Sequence, residues 1–244
     1  MALDLPIIYI PSLKTLKYMQ ISSPTLVFAG PSLTAPSRQL IENTPQATLC
    51  PPIQRGDLPH WLQQGFRGNV VIADGLFGQH LAVGHAEIRE AQRQGCTVYG
   101  VSSMGAIRAY EMRHLGVIGV GQVYQRFAQD EEEDFQDDEV TLLHSPAPEF
   151  RALSEPLIHL RVCVADWTQQ QIISDQIGQD IIQQLKQMYF GDRTLATFQS
   201  LVIQYCNLDV TSYLNKFDQY RIKNSDLAAF LSRIFPKNDF TLQD

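Results

Sequence analysis

Residues Val98–Met112, Val98-Tyr-Gly-Val-Ser102-Ser103-Met104-Gly105-Ala-Ile-Arg108-Ala-Tyr-Glu111-Met112, read as a strand, a tight turn and a helix in immediate succession. Four short β-rich runs share the strand character: Thr25–Ala29, Ala47–Cys50, Asn69–Ala73 and Thr97–Val101. Between them lie segments with helical features. Pro36 suits the first turn of a helix reaching Glu42. Asp57 suits the cap of a short helix carrying Leu58, Trp61 and Leu62. Residues 80–94 place Leu81, Ile88 and Ala91 near one face before Gly95 ends the run. Strands alternating with helices predict an α/β fold, an open and mostly parallel sheet with flanking helices. The unbroken apolar run Val70–Ala73 predicts a central strand buried on both faces.

Beyond residue 150 the strand signal stops. Gln becomes frequent, and Ile172, Ile173, Ile177, Ile181, Leu185 and Met188 recur at helical spacing. Residues 195–206 and 226–235 also read as helices, the second with Ser225 as its N-cap. The expected organisation is an N-terminal extension (1–23), an α/β core domain (24–160) and an all-helical C-terminal region (161–244). The isoleucine stripe must be buried on this chain, a second copy or a partner.

The 244 residues carry 19 Lys+Arg and 26 Asp+Glu, a net charge of −7, and are 44% hydrophobic. The apolar fraction excludes a disordered chain. The acidic balance argues against coating nucleic acid and gives no support for electrostatic attachment to an anionic membrane. No apolar run approaches the length of a membrane-spanning helix. The apolar N-terminal run lacks a preceding basic residue and a following small-residue cleavage site, so it reads as mature protein. Cys50, Cys96, Cys163 and Cys206 form no CxxC pair, which makes reduced thiols and a cytoplasmic location the expectation. Residues 130–139 hold eight acids. Outside them the chain has 19 basic and 18 acidic residues, so its body is near neutral. The run reads as a solvated loop without calcium-loop spacing, whose end, Asp137-Asp138-Glu139, can fold back on the body.

In parallel sheets ligands bind beyond the carboxyl ends of the strands. The residues there are Gly30 and Ser32 after the first run, Arg55 and Asp57 after the second, Asp74 and Gly75 after the third, and Ser102, Ser103, Met104 and Gly105 after the fourth. Ser103 reads either as a helix cap or as a nucleophile on an elbow-like turn, with the Met104 or Gly105 N–H as oxyanion donor. His80, His85 and His144 are candidate bases. Asp74 reads as a turn-forming Asx residue or an orienting carboxylate. Arg55 reads as a loop residue or an anion clamp. Arg108 and Glu111, three apart, can pair on one helix face. Gly116-Val-Ile-Gly119-Val-Gly121 has the wrong order for a dinucleotide fingerprint, and no Walker motif exists. No cofactor or metal is expected.

Several of these strings, in this order, resemble the TfuA-like family: Phe28-Ala-Gly30-Pro31-Ser32-Leu33, Pro51-Pro52, Arg55-Gly56-Asp57, Asp74-Gly75 with Phe77, His85 with Glu87-Ile88, Ser102–Ala109, Glu111, Gly119-Val-Gly121, and Asp137–Val140 with His144. The resemblance covers residues 25–144. It implies partnership with a YcaO-type enzyme in backbone thioamidation of ribosomal peptides. It further implies sulfide supply by hydrolysis of a thiocarboxylated ThiS-like carrier. On that basis Ser103 is the expected nucleophile with Ser102 as runner-up, and the Met104 backbone serves the oxyanion. His85 or His144 is the base, oriented by Asp74 or Glu87, and Arg55 or Arg108 holds the substrate carboxyl group. Two other readings stay open: a non-catalytic adaptor binding YcaO and the carrier or precursor peptide, and a Cys50 persulfide carrier.

Overall fold

A computed structural model describes residues 23–76, 81–129 and 136–235. The expected extension (residues 1–22), Phe77, His80 and the acidic residues 130–135 lie outside them. Five parallel strands, β1 (Thr25–Phe28), β2 (Ala47–Cys50), β3 (Asn69–Ile72), β4 (Thr97–Val101) and β5 (Ile118–Val120), form one sheet in the order β2-β1-β3-β4-β5. This confirms the α/β class. The chain reverses its direction of strand addition between β1 and β3, and their adjacent carboxyl ends are the switch point at which such sheets bind ligands.

Strand alternation sorts the core into two layers. Leu26, Phe28, Val70, Ile72 and Val98 pack beneath α2 (Asp57–Gln63), α3 (His85–Arg93), α4 (Met104–Glu111) and α5 (Gln122–Gln129). Val27, Val71, Tyr99 and Val101 pack beneath α1 (Ala35–Glu42) and α10 (Ile222–Ile234). Between α5 and α10 the chain makes α6 (Leu157–Gln169), α7 (Asp175–Gln187), α8 (Leu195–Cys206) and the single turn α9 (Thr211–Leu214). These helices bury their own cluster around Trp167, Ile181, Leu185 and Phe198, and Ile173, Ile177 and Ile182 join it, so the isoleucine stripe faces this chain. The helical region does not stand apart from the sheet, because its last helix is one of the two that cover a sheet face. No helix among the described residues is long and apolar enough to cross a membrane.

Several local expectations change. β5 falls within the glycine-rich run 116–121, and α5 follows it, so that run does join a strand to a helix. Asp57 does not cap α2; Gly56 holds that position, and the Asp57 carboxylate accepts the Gln54 N–H. Leu81 precedes α3 and is exposed. α10 starts at Ile222, so Ser225 lies inside it, donating to the Arg221 carbonyl.

Close approach explains two glycines. A methyl on Gly105 would strike the Ile72 carbonyl, so only glycine lets α4 lie on β3. Gly121 has φ +98°, and a methyl there would strike the Asp226 carboxylate. Asp226, on α10, accepts the Gln122 N–H and the Val123 N–H at 2.9 Å each, satisfying the first turn of α5. Asp226→Ala strands both donors and is expected to cost about 2–3 kcal/mol, read as a lower urea midpoint. An unchanged midpoint would show that the α5–α10 junction does not depend on this carboxylate.

Candidate functional site

The rim at the β1/β3 switch is built around Asp74, which is buried directly after β3. Its Oδ2 accepts the Gly30 N–H at 2.8 Å and the Ser32 N–H at 2.9 Å, and its Oδ1 accepts the Ser32 hydroxyl at 2.7 Å. These bonds hold the loop after β1 against the end of β3. Gly30 and Ser32 are thus engaged by Asp74, and neither lines the adjoining cavity. That cavity measures about 870 Å³. Its wall includes Cys50, Asp57, Asp74, Gly75, Ser103 and His144, with aromatic surface from Trp61, Phe150, Tyr189 and Phe190.

The turn before α4 decides what the two serines do. Ser102 has φ +67°, and the Ser103 N–H reaches the Val101 carbonyl two residues back at 2.8 Å. This is a γ-turn of the strained, positive-φ kind. It aims the two side chains apart. Ser102 is fully buried and donates to the Lys223 carbonyl at 2.7 Å. Ser103 lines the cavity and makes one long contact, 3.5 Å, to the Val140 carbonyl. The expected helix cap is absent, because Ser103 occupies the N-cap position of α4 without a side-chain bond to it. Among the described residues the Met104 N–H has no acceptor, whereas the Gly105 N–H is taken by the Ala73 carbonyl. An unused donor therefore sits at the N-terminus of α4, one residue after the cavity-lining serine, although Met104 and Gly105 are themselves buried and do not line the cavity.

The remaining expected residues divide. His144 is in the cavity wall, with Nδ1 bonded to the Ser145 carbonyl at 2.7 Å and the ring edge-on to Phe150. His85 is not brought to Ser103. Its ring is half exposed and bonds Glu111 at 2.7 Å; Arg108 bonds the same Glu111 oxygen at 2.6 Å and the Val83 carbonyl through Nε. These three form a group with Asp137, whose carboxyl is raised above its usual range by burial and by Glu111, against Arg108. Arg55 is exposed beside Glu87, which also accepts the Gly56 N–H and so pins the loop before α2 instead of orienting a histidine. None of His85, Arg55, Arg108 or Glu111 lines the cavity.

Three elements of the site are not among the expected site residues. Lys223, on the first turn of α10, is fully buried, reaches the cavity, and donates from Nζ to the Val140 carbonyl at 2.8 Å. Burial pulls its amine down to about 8, against the opposing influence of Asp74 and Glu155. Behind it, the Lys223 N–H donates to His159 Nε2 at 3.3 Å, His159 Nδ1 donates to Glu155 at 3.0 Å, and Glu155 accepts Arg221. Burial lowers His159 to about 4, although Glu155 favours its protonation. Burial also opposes ionisation of Glu155, but the bonds from His159 and Arg221 outweigh it and keep its carboxyl below the usual range. Val140 itself is delivered by the end of the acidic run, which does fold back. Arg161 grips Glu139 with two nitrogens, and Arg193 bonds Asp138. A signal for Lys223 was present: it stands in phase with Leu227, Phe230 and Ile234 on the buried stripe of α10.

The neutral, buried His159 sets a pH dependence. Its folded pKa near 4 lies below the ordinary 6.5, so between these values the unfolded chain binds a proton that the folded chain refuses. Its contribution is present above pH 6.5 and lost as pH falls toward 4. Urea unfolding across this window is expected to lose about 3 kcal/mol from this group. His159→Gln should flatten that part of the profile; an equally steep profile in the variant would assign the loss elsewhere.

No curated protein matches the chain. The family model described as TfuA-like protein matches residues 74–194. The match begins later than the run of resembling motifs and extends through α6 and α7. It takes in Asp74, both serines, His144 and the arginines that pin Val140, but not β1, β2 or α10. The segment that carries Asp74, both serines and His144 is the segment that the family describes, and the chain belongs to the TfuA-like family.

Proposed function

We propose that this protein is a hydrolase that releases sulfide from the C-terminal thiocarboxylate of a ThiS-like carrier protein and supplies it to a YcaO-type enzyme for peptide backbone thioamidation. The observation that carries the reading is the uncapped turn: the Ser103 side chain makes no bond to α4 and lines the cavity, and the next residue, Met104, has an unused N–H. In the first step the Ser103 oxygen bonds to the thiocarboxylate carbon, its proton leaves to a base, and the oxyanion is held by the Met104 N–H. The C–S bond then breaks, sulfur takes up the serine proton and leaves as hydrosulfide, and an ester to Ser103 remains. Water cleaves that ester to the carboxylate and restores the serine. The prolines and aromatic rings of the cavity wall suit an inserted peptide tail, with few polar groups to compete for it.

Asp74 enters this scheme as a positioning residue, because both of its oxygens are engaged by the loop after β1. Cys50 lines the cavity, but burial, with Asp57 nearby, pushes its thiol up to about 12. It stays protonated at neutral pH, which weighs against a persulfide carrier, since the thiolate is the reactive form. The adaptor reading shares the cavity but requires no turnover.

The test is mass spectrometry of a thiocarboxylated ThiS-like protein after incubation with this chain. Conversion to the carboxylate is expected, and Ser103→Ala should slow it by at least about 1000-fold while leaving the fold intact. Saturable binding by the wild type without conversion would overturn the hydrolase and favour the adaptor. Undiminished conversion by Ser103→Ala would remove Ser103 from the mechanism.

A further inference from the structure

Two side chains from opposite ends of the chain meet at one backbone oxygen. The Val140 carbonyl accepts from Lys223 Nζ at 2.8 Å and is contacted by the Ser103 hydroxyl at 3.5 Å, so Nζ and Oγ lie no farther apart than those distances combined. Both residues line the cavity. We infer that Lys223 is the proton acceptor for Ser103, a base supplied by the C-terminal helix in place of either expected histidine. This assignment rests on the reading of Ser103 as a nucleophile.

The surroundings of the amine favour a chemical role over a structural one. A buried lysine held for stability is paired with a carboxylate. Here the nearest candidate, Asp74, has both oxygens committed to Gly30 and Ser32, and among the described residues the only acceptor of Nζ is the Val140 carbonyl. The backbone of Lys223 is fixed on both sides. Its carbonyl accepts the Ser102 hydroxyl, which ties the first turn of α10 to the γ-turn that presents Ser103, and its N–H is received by His159. Ser102 is thereby a positioning residue for both partners. Neither histidine is bonded to Ser103: His85 is outside the cavity with Glu111, and His144, although it lines the cavity with its Nδ1 on the Ser145 carbonyl, shares no acceptor with the serine as Lys223 does.

The proton balance closes within the site. Neutral Nζ takes the Ser103 proton as the Oγ–C bond forms. The resulting ammonium returns it to sulfur as the C–S bond breaks, so hydrosulfide leaves and the amine is neutral again. The same amine then takes a proton from the water that cleaves the ester and gives it to Ser103 Oγ. The charged or titratable groups around Nζ are Asp74 beyond β3, Glu155 and His159 at the start of α6, and Arg221 and Asp226 flanking Lys223 itself. Their combined effect with burial leaves the amine near 8, where the neutral form is available at moderate pH.

The test uses a fluorophosphonate probe on the full chain, with the labelled residue found by mass spectrometry. This readout needs no thiocarboxylate. Wild-type protein should be labelled at Ser103, with a rate that rises through a midpoint near pH 8. Lys223→Met should keep its far-UV circular dichroism and melting transition but label at least about 100-fold more slowly. Lys223→Ala should regain labelling when ethylamine is added, and His144→Gln should keep the pH midpoint near 8 whatever its rate. Absence of labelling in the wild type, a midpoint at the ordinary histidine value, or wild-type labelling by a folded Lys223→Met would each overturn the assignment. If the lysine variants do not fold, the wild-type pH profile and His144→Gln decide. Labelling as expected together with an intact thiocarboxylated carrier would leave this assignment standing and remove the sulfide-releasing hydrolase.

Discussion

A carboxylate buried at the end of β3 must be compensated, and the compensation of Asp74 organises the rest of the rim. An ion-sized group taken out of water costs several kcal/mol unless hydrogen bonds and opposite charge replace the solvent. Asp74 draws its three donors from the loop after β1 and its nearest cation from α10, residues that are far apart in the chain. Satisfying it fixes the β1 loop, holds the β1/β3 switch point open and draws the first turn of α10 toward the strand ends.

The same rim depends on an uneven coverage of the sheet. Four helices lie on one face, but α1 alone does not cover the other, and the remaining apolar surface of Val71, Tyr99 and Val101 is closed by α10. The chain reaches α10 only after building α6–α9 with their own core. That excursion has a consequence for the site. Arg161 and Arg193 come from it and fasten Glu139 and Asp138, so the turn that ends the acidic run is held against Ser103 and presents the Val140 carbonyl. Asp226 closes the loop from the other side by satisfying the first turn of α5. Helical region and sheet are thus joined by buried, directional contacts, which tolerate displacement less than an apolar seam does.

What was legible in the sequence follows from which signals are local. β1 to β4 could be read because their apolar runs are bounded by turn residues, and α8 because its apolar spacing and ends are clean. β5 escaped because it is three residues long with Gly119 in the middle, and a glycine there is required by the Tyr124 ring packed upon it. The start of α10 was placed late because Lys223 and Asp226 look like solvent-facing residues, although both are on its buried face. The rim composition was readable as a set, since parallel strands bring their ends together. Its division into a cavity group and the outlying His85, Arg108 and Glu111 group was not, because helix phase and loop path decide it. The helix-cap expectation for Ser103 failed for a backbone reason: the positive φ of Ser102 rotates the turn so that neither hydroxyl reaches α4.

Lys223 departs furthest from the pattern around it. Its place in the apolar stripe of α10 would be filled without penalty by a methionine or leucine. The folded amine, near 8 instead of the ordinary 10.5, gives up protons that the unfolded chain keeps. Its contribution is therefore unfavourable at neutral pH and disappears only above pH 10.5, a cost of about 3 kcal/mol. That is a large share of the net stability of a domain of this size. Local rules are broken in this way where a site needs a group that packing alone would reject. The strained Ser102 turn is the second such departure, and its side chain bonds the carbonyl of the first. Two independent costs, one in backbone strain and one in buried charge, fall on residues that touch each other behind one cavity, and a purely structural use of this rim would require neither.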